Sequence, residues 1–227
     1  MNRFFVSTGV TAPDRFTLPA DLEHQVRRVL RLGDGDRIVL LPGDGTEAVC
    51  RLDGPDCVVE ERSTASGEPR HRLTVCQALL KGDGLEQVVQ HATEVGVARF
   101  RLVLTERCVA RQLSPHRLER LRTIAREAAE QSERGMVPAV DAPVPLRDVL
   151  EAGYVLLLER HTGPRLGQIE APAAVVIGPE GGFAPGEVAT AQDAGIRLAG
   201  LGPRILRSET VAPVAAALIL SRTGDFA

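Results

Sequence analysis

The order of hydrophobic and polar positions divides the chain into two parts. From Arg3 to about Glu61 the apolar runs are short and strand-like, and RIVLL and EAVCRL flank the turn PGDGT as a β-hairpin. The stretch ERSTASGEPRHR then combines Ser, Thr, Gly and Pro with charged residues, which is the composition of a linker. The pattern predicts a small β-rich module over residues 1–67 and a second domain over residues 68–227.

After the linker, strand-like and helical patterns alternate. LTVCQALL, RFRLVL, YVLLLE, AAVVIG and IRLAGLG indicate buried strands. Helical spacing predicts one helix that ends at Gly96, a long helix from Pro115 to about Arg134, and further helices from about Pro185 and Ser208. This alternation predicts an α/β fold, in which helices cover both faces of a parallel sheet. Ligands of such sheets bind at the carboxyl ends of the strands.

Composition favours a cytoplasmic globular protein. Hydrophobic residues make up 44% and charged residues 25% of the 227 positions, which is enough to bury a sizeable core. No apolar run approaches the roughly eighteen residues of a membrane helix, and MNRFFVSTGV lacks the layout of a secretory signal, so no membrane partner is expected. The four cysteines form no C-x-x-C pair and the five histidines show no i,i+4 spacing, which favours reduced buried thiols and no metal site.

The charge pattern neither requires nor excludes a nucleic-acid partner. The net charge is −3, so binding to RNA would depend on a local basic patch. The basic residues are all arginine except Lys81. One candidate patch consists of His24, Arg27, Arg28 and Arg31, which recur at helical spacing and could hold RNA phosphates. A solvated helix face is the usual explanation of such a run.

Two loops carry the clearest chemical signal, and they begin with Gly-Pro at residues 178–179 and 202–203. The first, in AAVVIGPEGGFAPGE, has Glu180 and no Gly-Lys-Ser/Thr ending, so it would repel a phosphate. Gly178, Gly181, Gly182 and Gly202 let the backbone approach a ligand closely, which suits an adenosine, and Glu180 suits a ribose or a cationic group. The pattern favours S-adenosylmethionine over ATP or NAD. The alternative is that these glycines only make tight turns between strand and helix.

These loops resemble a known family. IGPEGGF (177–183) and LGPRILRSET (201–210) are similar to the cofactor motifs of the RsmE family, the 16S ribosomal RNA uracil-N3 methyltransferases of the SPOUT superfamily. RFF at the start, HQVRRVLRLGDGD (24–36), KGDGLEQVVQHATEVGV (81–97), ERC (106–108) and EAAEQSERGMVP (127–138) resemble its other blocks in the same order. Two positions depart from the pattern. Ser208 stands where threonine is expected, and Val211 stands where a small residue is commoner.

The resemblance implies an architecture and a set of contacts. It implies a PUA-like β-barrel, a C-terminal domain with a deep trefoil knot, and a homodimer that acts on 16S ribosomal RNA of the small subunit. The RNA contacts that it implies are Arg3, Arg107 and Arg134 in addition to the basic run at residues 24–31, although ion pairs with nearby glutamates would also account for Arg107 and Arg134. The implied S-adenosylmethionine pocket consists of Leu157, Leu158, Ile177, Gly178, Pro179, Glu180, Gly181, Gly182, Leu201, Gly202, Ile205, Leu206, Ser208 and Thr210.

The chemistry of the implied reaction indicates the catalytic candidates. Methyl transfer from a sulfonium requires in-line placement of the nucleophile and removal of its proton. Deprotonated uracil N3 spreads negative charge onto O2 and O4, where the N–H groups of Arg204 and Arg207 could stabilise it. Glu209 either pairs with one of these arginines or acts as the base. The structural alternative is that Ser208 caps the last helix and Glu209 lies near its N-terminal dipole.

Two other classes of function remain open. One is a non-catalytic RNA-binding protein of the same fold, for which decayed cofactor loops would be expected, and a methyltransferase acting on a different nucleotide is a related possibility. The other is a nucleotide-dependent oxidoreductase. The stretch GDGTEA has the spacing of a dinucleotide motif, but it joins two strands and opens no helix.

Overall fold

A computed structural model describes residues 1–7, 9–151, 153–157 and 163–226. They form two compact units, one of residues 1–68 with 129–137 and the other of the remaining residues. The first of these boundaries lies next to Gly67. Residues 129–137 join the first unit because Ala129 packs with Phe5, Val39 and Leu41, and because Glu130 Oε1 accepts a hydrogen bond of 2.9 Å from the Phe5 N–H.

The first unit is built on a five-stranded sheet. Its strands are β1 (Asn2–Phe5), β2 (Arg15–Thr17), β3 (Arg37–Leu41), β4 (Thr46–Asp53) and β5 (Asp56–Thr64), in the order β1-β3-β4-β5-β2. β1 runs parallel to β3 and the other pairs are antiparallel, with β3 and β4 forming the predicted hairpin. A short helix α1 (Ala20–His24) continues into a π-helical turn (Gln25–Val29).

Alternation along β4 creates the core of this unit. Ala48, Cys50 and Leu52 are buried while the residues between them are half-buried, as expected for a strand that covers a core with one face. Leu22 of α1 and Val26 of the π-helical turn pack into the same cluster. His24, Arg27 and Arg28 therefore lie on a helical segment that packs against the core through its apolar side chains.

The second unit contains a six-stranded sheet. Its strands are β6 (Thr74–Ala78), β7 (Arg99–Leu104), β8 (Ala139–Pro145), β9 (Tyr154–Leu157), β10 (Ala174–Ile177) and β11 (Arg197–Ala199). The order is β11-β9-β10-β6-β7-β8 and every pair is parallel, which confirms the predicted α/β fold. The helices are α2 (Gly84–Val95), α3 (Pro115–Gln131), α4 (Pro185–Asp193) and α5 (Ser208–Leu220), with 3₁₀ turns at Leu146–Val149, Leu166–Gln168 and Ser221–Thr223.

Two elements differ from the sequence-based expectation. β8 was not predicted. It contains Pro143 and Pro145, and it lies at the sheet edge, where a missing N–H donor is tolerated. Helix α3 ends at Gln131 and not near Arg134, since Glu133 takes a left-handed conformation with φ +60°. Gly96 ends α2 as predicted, with φ +112°.

All four cysteines are free and buried. Burial raises the pKa of Cys50 and of Cys76 to about 12 and that of Cys57 to about 11, so these side chains stay protonated thiols near neutral pH. No helix in the described ranges combines the length and the apolar character that crossing a membrane requires. Within the same ranges, no group of three His, Cys, Asp or Glu side chains is placed to hold a metal ion.

Candidate active site

A cavity of about 730 Å³ opens at the carboxyl ends of β6, β9, β10 and β11. Parallel strands end at the same edge of their sheet, so the segments that follow them are brought together. Both Gly-Pro loops line this cavity, as the sequence pattern predicts for neighbouring loops. The predicted cofactor contacts that line it are Leu157, Ile177, Gly178, Pro179, Glu180, Gly182, Leu201, Ile205, Leu206 and Ser208, and the predicted catalytic residues that line it are Arg204, Arg207 and Glu209.

Other predicted contacts lie outside the cavity lining. Gly181, Gly202 and Thr210 do not line it, and Leu158 falls outside the described residues. A Cβ added to Gly181 would lie 3.3 Å from Cβ of Arg107, and a Cβ added to Gly202 would lie 3.1 Å from Nη1 of Arg165. Side chains at these two glycines would therefore press on arginines before they filled the cavity.

The first Gly-Pro loop is bonded to the segments that follow β6 and β7. Oε1 of Glu180 accepts a hydrogen bond of 3.1 Å from the N–H of Lys81. Nη1 of Arg107 donates to the carbonyl oxygen of Gly181 at 3.1 Å. Arg107, which the resemblance implied as an RNA contact, is exposed and supports this loop directly.

Glu187 on α4 adds a connection that sequence reasoning missed. Its Oε1 accepts a 2.7 Å hydrogen bond from the N–H of Glu106, and its Oε2 accepts one of 2.9 Å from the N–H of Ala184. A carboxylate in the first helical turn satisfies otherwise unpaired N–H groups and suits the helix dipole. The spacing of Glu187, three residues after Ala184 at the start of a helix, is the sequence signal that could have identified it.

The segment after β6 was also missed as part of the site. The cavity is lined by Lys81, Gly82, Asp83 and Gly84. Phe183 from the first Gly-Pro loop and Val211 from α5 line it as well. Val211, one of the two departures from the family pattern, is half-buried there. Asp83 occupies the N-cap position of α2, but its side chain makes no capping hydrogen bond.

Arg117 fixes this segment from the side of α3. It donates to the carbonyl of Gly82 and to both carboxylate oxygens of Glu86, at 3.1 and 2.8 Å. Burial alone would raise the pKa of Glu86, but the hydrogen bonds from Arg117, a backbone hydrogen bond and the charges of Arg117 and Arg120 together hold the pKa below its usual value. The start of α2 is therefore tied to α3 by an ionised pair beside the cavity.

The second Gly-Pro loop leads into the start of α5. Nη1 of Arg207 lies 3.9 Å from Oε1 of Glu209, and the side chains are 87% and 25% exposed respectively. Ser208 is the first helical residue, and Arg207 holds the N-cap position without a side-chain cap. The part of the structural alternative in which Ser208 caps the helix is therefore wrong, whereas Glu209 does lie in the first turn of α5, near the helix N-terminus. Arg204 is exposed, and no carboxylate in the described ranges pairs with it.

The basic residues predicted at helical spacing differ in exposure. His24, Arg28 and Arg31 are exposed, so their charges can reach an external anion. Arg27 is partly buried and donates to the carbonyl of Leu32 at 3.2 Å and to Asp34 at 2.8 Å. Arg27 therefore stabilises the turn after the π-helical segment.

Two predicted RNA contacts are instead part of the framework of the first unit. The side chain of Arg134 is 2% exposed, and Nε and Nη2 donate to the two oxygens of Glu68 at 3.1 and 2.9 Å. Arg3 is 11% exposed and forms ion pairs with Glu47 and, at 3.8 Å, with Glu133. The prediction that Arg134 contacts RNA is corrected, because a buried, paired guanidinium cannot reach a phosphate. Arg3 is largely enclosed in the same way.

Comparisons with known proteins identify relatives of this chain. Residues 67–220 match the family described as RNA methyltransferase domain. The chain is 36% identical to the ribosomal RNA small subunit methyltransferase E of Synechocystis sp., covering 92% of this chain and 76% of that protein. It is 30% identical to the protein of the same name from Bacillus subtilis, covering 92% of each chain.

A solved structure extends the similarity to the fold. The ribosomal RNA small subunit methyltransferase E of Neisseria gonorrhoeae, bound to S-adenosylmethionine, superimposes with a TM-score of 0.89. The two chains are 28% identical, and the match covers 98% of each. The sequence motifs, the cavity at the strand ends and these similarities lead to one conclusion. The chain belongs to the RNA methyltransferase domain family and, within it, to the ribosomal RNA small subunit methyltransferase E family.

Proposed function

We propose that this protein transfers a methyl group from S-adenosylmethionine to N3 of a uridine in 16S ribosomal RNA of the small subunit. One observation carries the proposal. Both Gly-Pro loops surround a single cavity, and Arg204 and Arg207 line the same cavity. The family supports the reaction class, since relatives bear the name of a small-subunit RNA methyltransferase and one has S-adenosylmethionine bound.

The cavity fits the cofactor in size and in chemistry. Its volume of about 730 Å³ lies in the range of roughly 300–1,000 Å³ that is usual for small-molecule sites. Leu157, Ile177 and Leu206 offer apolar surface to an adenine ring. Gly178 and Gly182 leave the backbone of the first loop open to ribose hydroxyls.

The chemistry assigns separate tasks to the residues at the start of α5. The cofactor supplies a methyl group on a sulfonium. Once uracil N3 has lost its proton, its lone pair forms the N–CH₃ bond as the S–CH₃ bond breaks, and the sulfur keeps the electron pair. Arg204 and Arg207 stabilise the charge on O2 and O4 of the uracil. Glu209 lies close enough to Arg207 to orient it, and its carboxylate at the start of α5 can act as the base.

We also propose the finer architecture that the family resemblance implies. Residues 1–67 act as a PUA-like β-barrel that binds RNA through His24, Arg28 and Arg31, and residues 68–227 form a SPOUT domain with a trefoil knot. The exposed basic residues support the first part. The strand order supports the second, since the chain leaves β10 and passes beyond β9 to place β11. The protein acts as a cytoplasmic homodimer.

A labelling experiment tests the function. Purified protein is incubated with radiolabelled S-adenosylmethionine and small ribosomal subunits that lack the modification, and the RNA is digested to nucleosides. The expected product is labelled N3-methyluridine in 16S RNA. Large subunits serve as the control substrate and should remain unlabelled. Label on ribose, on cytidine or on large-subunit RNA would contradict the substrate while leaving the cofactor assignment intact.

A further inference from the structure

Lys81, the only lysine of the chain, lies on the cavity and has no assigned task. Its side chain is exposed, and within the described ranges no carboxylate forms an ion pair with its ammonium group. In a chain with 30 acidic residues, a cation that lines the cavity and has no ion-pair partner among the described residues is available to a ligand. This availability distinguishes Lys81 from Arg27 and Arg134, which are bound to carboxylates.

The backbone that carries Lys81 is fixed on both sides. Glu180 accepts a hydrogen bond from the N–H of Lys81, and Arg117 donates one to the carbonyl of the next residue, Gly82. Arg117 is itself held by Glu86 on α2. The ammonium group is therefore presented from a restrained turn, which lowers the entropy cost of placing it against a ligand.

Lys81 shares the cavity with two other exposed cations. Arg204 and Arg207 come from the second Gly-Pro loop, whereas Lys81 comes from the segment after β6, so positive charge reaches the cavity from two directions. Asp83, Glu180 and Glu209 line the same cavity, so the lining as a whole is not strongly positive. The cations therefore act as individual contacts for phosphate groups, which is how arginine and lysine position a nucleic-acid backbone.

We propose that Lys81 is a substrate-contact residue whose ammonium binds a backbone phosphate of the RNA next to the target uridine. The inference rests on the proposed function. A compact ammonium binds phosphate as a point charge and needs no fixed fork geometry. The carboxylate of the cofactor is the competing anion. The solvent exposure of Lys81 favours the RNA, because a cation dedicated to a small ligand would be enclosed with it.

Steady-state kinetics with small subunits test the proposal. Lys81→Gln should raise KM for the subunit roughly tenfold, the effect of losing one hydrogen bond to a charged group. It should also reduce the slope of log KM against log salt concentration by about one. The kcat and the dissociation constant for S-adenosylmethionine should stay within about twofold of the parent, because the contact is to the RNA backbone. Lys81→Arg keeps the positive charge, so its KM for the subunit should stay close to that of the parent.

Arg197→Gln is the matched control. Arg197 is exposed and begins β11, at the opposite end of the strand from the cavity, so this variant removes one positive charge without touching the site. Its KM and salt slope should equal those of the parent. An unchanged KM for Lys81→Gln would overturn the proposal, as would an equal rise in Arg197→Gln. An inactive parent protein would instead refute the proposed function.

A chemical footprint shows whether Lys81 contacts the RNA or the carboxylate of the cofactor. An amine-reactive acetylating reagent modifies one side chain, Lys81, and the amino group of Met1, which is 66% exposed and serves as an internal reference. Mass spectrometry of the digested protein gives both rates. Small subunits should slow acetylation of Lys81 at least fivefold relative to Met1, and S-adenosylmethionine alone should not. Protection by the cofactor alone would assign Lys81 to the cofactor carboxylate and overturn the RNA contact.

Discussion

The N–H of Lys81 donates to Oε1 of Glu180 across 3.1 Å and joins the segment after β6 to the first Gly-Pro loop after β10. Both segments line the cavity. A carboxylate at residue 180 therefore fixes the relative position of two walls of the site. This role differs from the ribose contact that the sequence suggests for Glu180, and the two roles respond differently to substitution.

Glu180→Gln should retain most of the affinity for S-adenosylmethionine, whereas Glu180→Ala should lose about tenfold. The amide oxygen of glutamine can still accept the Lys81 N–H, while alanine leaves that N–H without its partner. Isothermal titration calorimetry with both variants measures the difference. Equal losses in the two variants would show that the charge of Glu180, and not its hydrogen bond to Lys81, is what the cofactor site needs.

Gly182→Val should weaken cofactor binding by more than tenfold. Gly182 lines the cavity, has φ +67°, and has open space where a Cβ would lie, so a valine would extend into the ligand volume. Gly195→Val is the matched control, since Gly195 has φ +76° and similar open space but does not line the cavity. Both variants should lose about 1–3 kcal/mol of unfolding free energy through backbone strain. If they bind S-adenosylmethionine equally well by calorimetry, the pocket assignment is wrong.

Arg207→Ala should slow methyl transfer with little effect on the cofactor. Loss of a preorganised group that stabilises developing charge costs about 2–4 kcal/mol in the transition state. The side chain is 87% exposed, so its removal leaves the packing of α5 unchanged. Single-turnover rates with small subunits, compared with cofactor affinity from calorimetry, separate the two effects. A parallel fall in both quantities would place Arg207 in cofactor binding and remove it from catalysis.

Arg134→Ala should mainly lower stability, whereas Arg28→Ala should mainly weaken RNA binding. Removing Arg134 leaves the carboxylate of Glu68 without its buried partner and should lower the unfolding free energy by about 3–5 kcal/mol. Arg28 is exposed, so its loss should change stability by less than about 0.5 kcal/mol but weaken RNA binding. Urea denaturation and filter binding give the two measurements. Normal stability of Arg134→Ala would contradict the structural role assigned to it.

The protein should be a homodimer at micromolar concentration. Leu218 on α5 is 37% exposed although its helix is mostly apolar, which suits a face that packs against a second copy. Leu218→Glu should shift the mass measured by light scattering toward the monomer. Val29→Glu, at an apolar position of the first unit that is 65% exposed, should leave the mass unchanged. A parent protein that is monomeric and fully active would refute this prediction.

Local sequence determined the elements of this fold and the identity of its loops. Apolar runs of four to six residues and helical spacing are local signals, so β6, β7, β10 and α2, α4 and α5 lie where the pattern places them. Glycine, proline and glutamate in the two Gly-Pro loops likewise indicated the cofactor, because backbone access and the lack of a phosphate-binding ending are properties of the loop itself. The edge strand β8 was not predicted. A strand tolerates proline when it lies at the edge of a sheet, and a local sequence pattern does not show the strand order.

Tertiary structure alone decided which charged side chains are available to a ligand. Arg28 and Arg134 are both arginines in family-like blocks, yet one is exposed and the other is buried against Glu68, a residue 66 positions away in the chain. Lys81 and Glu187 became part of the site only when the parallel sheet brought the ends of β6, β7 and β10 to one edge. Pairing and burial depend on residues that are distant in sequence, whereas spacing and composition describe only neighbours along the chain.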